Sequence, residues 1–428
     1  MRVLALALLA AAALPAQQVV IKAARLFDGR AETLQSPGIV TVEDGRITGV
    51  GPGATLKPGA KTIDLGDATL LPGFMDAHVH LTGEIGPDSR QDIVDGMART
   101  PAETALLATK FLRVTLDAGF TTVRNLGAED FIDVAMRNAI SRGRVAGPRI
   151  LAASKSLGSM GGHCDPMNGV APGFFGREPD WRDGVVSGPE AARQAVRYNI
   201  KYGADLIKIC ATGGVLSRNN DVDSPQLTQA EIDAIIDEAH AKGKRVAAHA
   251  HGATGAKRAI RGGIDSIEHG SFLDNEALTL MKEKGTHYVP TLHAIWSLEE
   301  GLKKGGVMDP RTKLKLALAS RRINETFRSA VARGVKIAFG TDAGVGIHGT
   351  NAEEFVLMVK SGLKPIDALR AATSVDAELF GIAAEVGTLE GGKIADIVAV
   401  RANPVEDIAQ TRNVFFVMKD GKVVKNTR

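Results

Sequence analysis

At 428 residues the chain is longer than one ordinary domain of ~100–200 residues, though a barrel enzyme reaches that length as one unit. Hydrophobic residues at 44% and charged residues at 24% give a globular balance that excludes disordered, collagenous and coiled-coil chains. Lys+Arg 52 against Asp+Glu 49 leaves +3, too little for a nucleic-acid surface, and two cysteines cannot build a disulfide scaffold, so a buried core must hold the fold.

Taken in chain order, Met1-Arg2 leads into an apolar run from Val3 to Leu14, then Pro15-Ala16-Gln17-Gln18. This reads as a secretory signal peptide over residues 1–18, with the mature protein exported to a periplasm or the exterior. The run is short for a bilayer span of ~20 residues, and no membrane association is expected after its removal. From Val19 the pattern is short strands and turns, with Asp44-Gly45 between two alternating runs as a hairpin signal. Asp420-Gly421 repeats that signal at the far end. Residues 19–70 and 381–428 are therefore expected to form one small composite β domain, a sandwich built from both chain ends.

Between them, residues 71–380 alternate apolar runs with helical stretches. The runs are the strand ending at His80, then TTVRNL, RILAAS, DLIKICA, RVAAHAH, DSIEHG, HYVPTL and KIAFGTD. The clearest helix spans Thr228 to Ala241: Thr228 and Glu231 form a capping box, and Ile232, Ile235, Ile236 and Ala239 share one face. Continuous apolar strands alternating with amphipathic helices imply a parallel sheet covered by helices. Eight such strands favour an α/β fold of the (β/α)8 TIM-barrel kind, and no glycine-rich dinucleotide fingerprint supports an open sheet.

Polar residues collect at the strand ends, the active-site face of such a barrel. His78 and His80 lie two apart on one strand, so both imidazoles point the same way and can grip one cation. Lys208 interrupts an apolar strand, His249 and His269 end two others, and Asp342 ends the last. Imidazole and carboxylate suit a borderline divalent ion such as zinc. Lys208 joins such a set only without its ammonium charge, and reaction with carbon dioxide gives a carbamate able to bridge two cations. Two M²⁺ less carbamate, Asp342 and hydroxide leave one modest positive charge to polarise a carbonyl.

With LPGFMDAHVHL, the Lys208 strand, AAHAHG, IEHG and GTDAG in that order, the sequence resembles the amidohydrolase superfamily over nearly the whole mature chain. The resemblance implies two Zn²⁺ ions, one held by His78, His80 and Asp342, the other by His249 and His269, bridged by carboxylated Lys208 and hydroxide. Because deaminase branches lack the bridging lysine, it also implies amide hydrolysis. Gly161-Gly162-His163, TGGVLS, HAHG and YVPTL are similar to the prolidase-like branch, which includes Xaa-Pro dipeptidases, other carboxypeptidases and ochratoxin-hydrolysing amidases. That branch implies cleavage of the amide bond to a C-terminal amino acid in a dipeptide or an N-acyl amino acid, with Asp342 moving the proton. A homo-oligomer is also expected.

Other roles are less determined by the sequence. His249 or His251 could be the ligand on the fifth strand; the resemblance favours His249 and leaves His251 to the substrate. His163 would hydrogen-bond the scissile carbonyl or the substrate carboxylate, or pack its loop. Val215 and His293 are expected to face the pocket, and Arg218 to clamp a carboxylate bidentately. Arg124 reads as a brace rather than a carboxylate site, His240 as structural, and Cys164 and Cys210 as small core residues. The rival readings are a cyclic-amide or imidazolone hydrolase or a deaminase on the same scaffold, and a non-catalytic binding barrel.

Overall fold

The computed structural model describes residues 17–173 and 176–428, so the expected signal segment, apart from Gln17 and Gln18, lies outside the described residues. Gln18 is buried; its amide donates to Glu43 and to the Thr55 carbonyl, and its Oε1 accepts from the Lys57 amide. A side chain so bonded belongs to the β region, which therefore begins one residue before Val19. Among the described residues, no helix is long and apolar enough to cross a membrane.

Two sheets stack at one end of the molecule. The first contains only N-terminal strands, in the order Arg46–Val50, Gly38–Glu43, Val19–Ala23, Lys61–Asp64. The second mixes both chain ends: Ile397–Arg401 pairs antiparallel with Ala68–Pro72, and Val414–Lys419 and Lys422–Asn426 follow. Asp44-Gly45 and Asp420-Gly421, all at positive φ, turn the two hairpins. Ile21, Val40 and Ile47 from one sheet and Leu70, Ile397 and Phe416 from the other fill the space between them. The strand Ala68–Pro72 crosses the boundary expected at residue 70, because Leu71 and Pro72 are needed for register with Val398 and Ile397.

The rest is a (β/α)8 barrel. Its strands are Phe74–Val79, Phe120–Asn125, Arg149–Ala152, Ile207–Cys210, Val246–Gly252, Ser266–Phe272 and His287–Val289, and all ladders are parallel. The eighth position, 337–343, makes only isolated bridges, Ile337 to Tyr288 and Ala343 to Val79, which close the ring. It is not the regular strand that KIAFGTD suggests, because the left-handed backbone at Asp342 (φ 58°) interrupts the ladder.

Helices cover the outside through their apolar faces. Gln229–His240 starts at the reciprocal Thr228–Glu231 capping box and buries Ile232, Ile235, Ile236 and Ala239. Ile235 is fully buried, so Ile235→Ala would cost about 2–5 kcal/mol through lost burial and the cavity left behind. This rigid wall makes the strand ends a fixed platform for side chains.

Candidate active site

The C-terminal ends of the strands enclose a pocket lined by His78, His80, His163, Lys208, His249, His251, His269 and Asp342, with Val215, Leu298 and Val345 among its apolar walls. His78 Nε2 lies 3.4 Å and His80 Nε2 3.3 Å from Asp342 Oδ1, and Lys208 Nζ lies 3.4 Å from His78 Nε2. These four side chains come from the first, fourth and eighth barrel positions. Opposite them, the rings of His249, His251 and His269 lie within 4.9 Å of one another, centre to centre.

Local backbone sets the aim of several of these groups. His269, Thr291 and Asp342 all have positive φ, at 69°, 49° and 58°. Such conformations cost a non-glycine residue about 1–3 kcal/mol and persist where surrounding structure imposes them. At His269 the departure breaks the two-residue alternation of the strand, so consecutive Glu268 and His269 both reach the interior. Gly214 makes room for His163: a Cβ there would sit 2.5 Å from His163 Cε1.

Glu268 is the residue that the sequence reading misses. Fully buried, it accepts from His78 Nδ1 at 3.0 Å and from Arg124 Nη2 at 3.0 Å, with Ser266 Oγ also donating. Although burial opposes ionisation, Arg124 and His78 bring its carboxyl down to about 2. The charged carboxylate fixes the proton of His78 on Nδ1 and leaves the Nε2 lone pair facing Asp342 and Lys208. Alternation alone would have turned Glu268 away from His269, which is why IEHG did not reveal it.

Arg124 is a brace: it donates to the Ala77 carbonyl, Ser266 and Glu268 and does not line the pocket. His249 Nε2 faces the Gly213 carbonyl at 2.9 Å; since a carbonyl only accepts, Nε2 carries the proton and the Nδ1 lone pair is free. His251 Nδ1 and His269 Nδ1 instead meet hydroxyls, of Ser271 at 2.9 Å and Thr291 at 2.8 Å.

Burial is the first cause of every histidine shift here. It lowers His78 and His163 to about 4 and His251 to about 3, and pushes His249 and His269 well below the usual range, so all five rings are neutral near pH 7. Burial also lowers the Lys208 amine to about 8. Asp342 goes the other way: burial opposes its ionisation, but His78, His80 and Lys208 bring it down to about 2. A buried carboxylate among neutral imidazoles is a donor set suited to a cation. Among the described residues Asp342 Oδ1 has no hydrogen-bond partner, and two triples offer ligand atoms within 4.8 Å of one another: His78, His269 and Asp342, and His249, His251 and His269. The chemistry and spacing fit divalent metal.

Two expected contacts are not brought in. Arg218 is exposed, its stem against Gly169, because Ser217 Oγ bonds back to Gly214 and Asn220 and turns the loop outward. His293 is buried beside Gly346 with Nε2 2.8 Å from Thr350 Oγ1; its helix, Leu292–Lys303, gives Ala294, Ile295 and Leu298 to the pocket instead. Val215 does line the pocket, and its loop is held by Lys315, which donates to the carbonyls of Gly214, Ser217 and Asn220. His240 is structural, bonded to Asp265 on the outer surface. Cys164 and Cys210 are not separate core residues: with Cα atoms 5.9 Å apart they form a disulfide that ties the His163 loop to the Lys208 strand. Their separation of 46 residues hid the pairing.

Residues 69–424 match the amidohydrolase family. The chain belongs to that family. It is 32% identical to ochratoxinase from Aspergillus niger over 96% of this chain and 87% of that one. A Xaa-Pro dipeptidase structure with bound methionine in its active site is 43% identical, with a TM-score of 0.91, covering 96% of this chain and all of that one. A prolidase complexed with N-methylphosphonate-L-proline is 33% identical, with a TM-score of 0.85 over the same shares. Similarity falls to 26% for an imidazolonepropionase from Symbiobacterium thermophilum and 24% for an adenine deaminase from Moorella thermoacetica. This amidohydrolase is thus a metal-binding hydrolytic enzyme of the prolidase-like group, acting on amide bonds of small molecules.

Proposed function

We propose that this amidohydrolase is an exported enzyme with two zinc ions that releases a C-terminal amino acid from a dipeptide or N-acyl amino acid. The observation that carries the reading is the buried Lys208 amine. It sits 3.4 Å from His78 Nε2, forms no ion pair among the described residues, and lines the same pocket as the two donor triples, which share His269. Carbon dioxide adding to that amine, with loss of a proton, gives a carbamate whose two oxygens serve both clusters. His78, His80 and Asp342 would hold one ion, and His249 and His269 the other.

Zinc held there supplies Lewis acidity toward the scissile carbonyl and lowers the pKa of water toward neutrality. The remaining work falls to this chain. Asp342 takes the proton of the attacking water as the tetrahedral carbon forms, then passes it to the leaving nitrogen as the C–N bond breaks. His163, whose buried Nδ1 has no partner, and His251, two residues beyond His249 toward the barrel mouth, are the polar groups placed for the substrate carbonyl and carboxylate. Export agrees with the apolar N-terminal run and with the Cys164–Cys210 disulfide, which persists in an oxidising compartment.

The test is mass-spectrometric identification of products from a mixture of dipeptides, N-acyl amino acids and cyclic amides, with metal analysis of the same preparation. Free amino acids and zinc near two per chain are expected. Ammonia or ring-opened products without a free amino acid would move the enzyme to a deaminase or cyclic-amide reaction.

A further inference from the structure

The pocket at the metal-type ligands is small, about 120 Å³. Sites for small molecules usually occupy ~300–1,000 Å³. A second chamber of about 370 Å³ adjoins it, and Leu298 and Val345 belong to the walls of both. The chamber lies within that range by itself, whereas the pocket at the ligands reaches it only with the chamber added. The chamber is walled by Ile85, Trp296, Leu302, Val307, Met308 and Ile347. Its acidic groups are engaged: Glu84 accepts from the His348 amide, and Glu300 from Lys303. Lys304 also lines it, beside Glu300, so acidic and basic groups offset one another and the walls offer chiefly apolar surface and one large aromatic ring.

We propose that this chamber is the acyl subsite, and that the enzyme prefers substrates with a bulky, uncharged, apolar acyl group, aromatic above all. The inference rests on the amide-hydrolase reading above and adds the identity of the acyl side. The helix Leu292–Lys303 carries both walls, since Ala294 and Ile295 face the metal-type ligands while Trp296 and Leu302 face the chamber. A substrate spanning Leu298 therefore sets its scissile bond by the histidines and its acyl group in the chamber. Each methylene buried there should raise kcat/KM about four-fold until the volume is filled.

Gly301 supplies the test. It lines the chamber, and a Cβ at that position meets nothing within 4 Å. The metal-loaded enzyme is assayed with N-acetyl, N-butyryl, N-hexanoyl and N-(1-naphthoyl) derivatives of one amino acid. In the wild type kcat/KM should rise along the series, with the naphthoyl compound at least ~100-fold above the acetyl one. Gly301→Trp should fill the chamber and lower naphthoyl turnover more than ~10-fold, with a markedly smaller loss on the acetyl substrate. Gly301→Leu, a milder filling, should show the same selectivity at smaller size, and the wild-type series stands even if neither variant folds.

Equal kcat/KM across the wild-type series overturns the subsite while amide hydrolysis stands. So does an equal loss on acetyl and naphthoyl substrates in a folded Gly301→Trp. A change of oligomeric state in Gly301→Trp with acyl preference unaltered makes the chamber a contact between copies, and also overturns it. Release of no amino acid from any member overturns the hydrolase reading itself.

Discussion

Two pairs of histidines in the pocket differ in what holds them. His78 and His249 each face a group that can only accept, the Glu268 carboxylate and the Gly213 carbonyl. Their protons are therefore fixed on the outward nitrogen and their lone pairs face the pocket before any ligand arrives. His251 meets a serine hydroxyl, which can donate or accept, and His163 Nδ1 has no hydrogen-bond partner among the described residues. The first kind is preorganised for a cation; the second can change hydrogen-bond roles, as a substrate contact must. Type of residue is the same throughout, and His269, whose Nδ1 meets the Thr291 hydroxyl, has a partner of the second kind although it stands among the proposed ligands, so position in the pocket acts beside the partner.

The largest test removes the proposed bridging group. Lys208→Ala should lower turnover by more than the ~10–100-fold typical of an outer-shell change, and should reduce bound metal. Acetate, by supplying two oxygens, should restore part of the activity. Full turnover in Lys208→Ala would discard the carbamate.

Next come the two histidines of the fifth strand. His249→Ala should lose metal and depress activity on every substrate, because the fixed lone pair disappears. His251→Ala should keep its metal and alter substrates unevenly. Metal content measured beside kinetics decides the matter, and metal loss confined to His251→Ala would reverse the assignment.

A finer change leaves every first ligand in place. Glu268→Gln should weaken metal affinity about 10–100-fold in a chelator competition, because the carboxylate that fixes His78 is gone. It also strands the buried Arg124 guanidinium, a loss of about 3–5 kcal/mol in unfolding experiments. Ser271→Ala, behind His251, should leave chelator competition unchanged.

The smallest effect lies outside the barrel and serves as a control. Glu238 takes a two-pronged contact from Arg197 at 2.9 Å on each oxygen, and those hydrogen bonds, ahead of Lys242, hold its carboxyl at about 2 rather than 4.5. A lowered carboxylate stabilises the folded state above the unfolded value and loses that contribution as pH falls from 4.5 toward 2. Glu238→Gln should therefore shift the thermal midpoint by no more than about 2–4 °C at neutral pH, and the difference from wild type should vanish near pH 2. Metal affinity should not move.

Much of this was legible in the sequence because it depends on short-range rules. Alternation along a strand put His78 and His80 on one side, a capping box started the helix at Gln229, and Asp-Gly pairs marked both hairpins. A lysine in an apolar run and polar residues at strand ends located the pocket face without coordinates. What only the tertiary structure decided came from contacts distant in the chain and from backbone that leaves the regular pattern. His269 joined Glu268 on the interior side through its own left-handed backbone, and Cys164 in a loop met Cys210 on the Lys208 strand. Arg218 and His293 were drawn away by a serine-bonded turn and by a threonine on another loop. Periodicity gives the side of an element on which a residue lies; the partner waiting there is set by packing between segments distant in the chain.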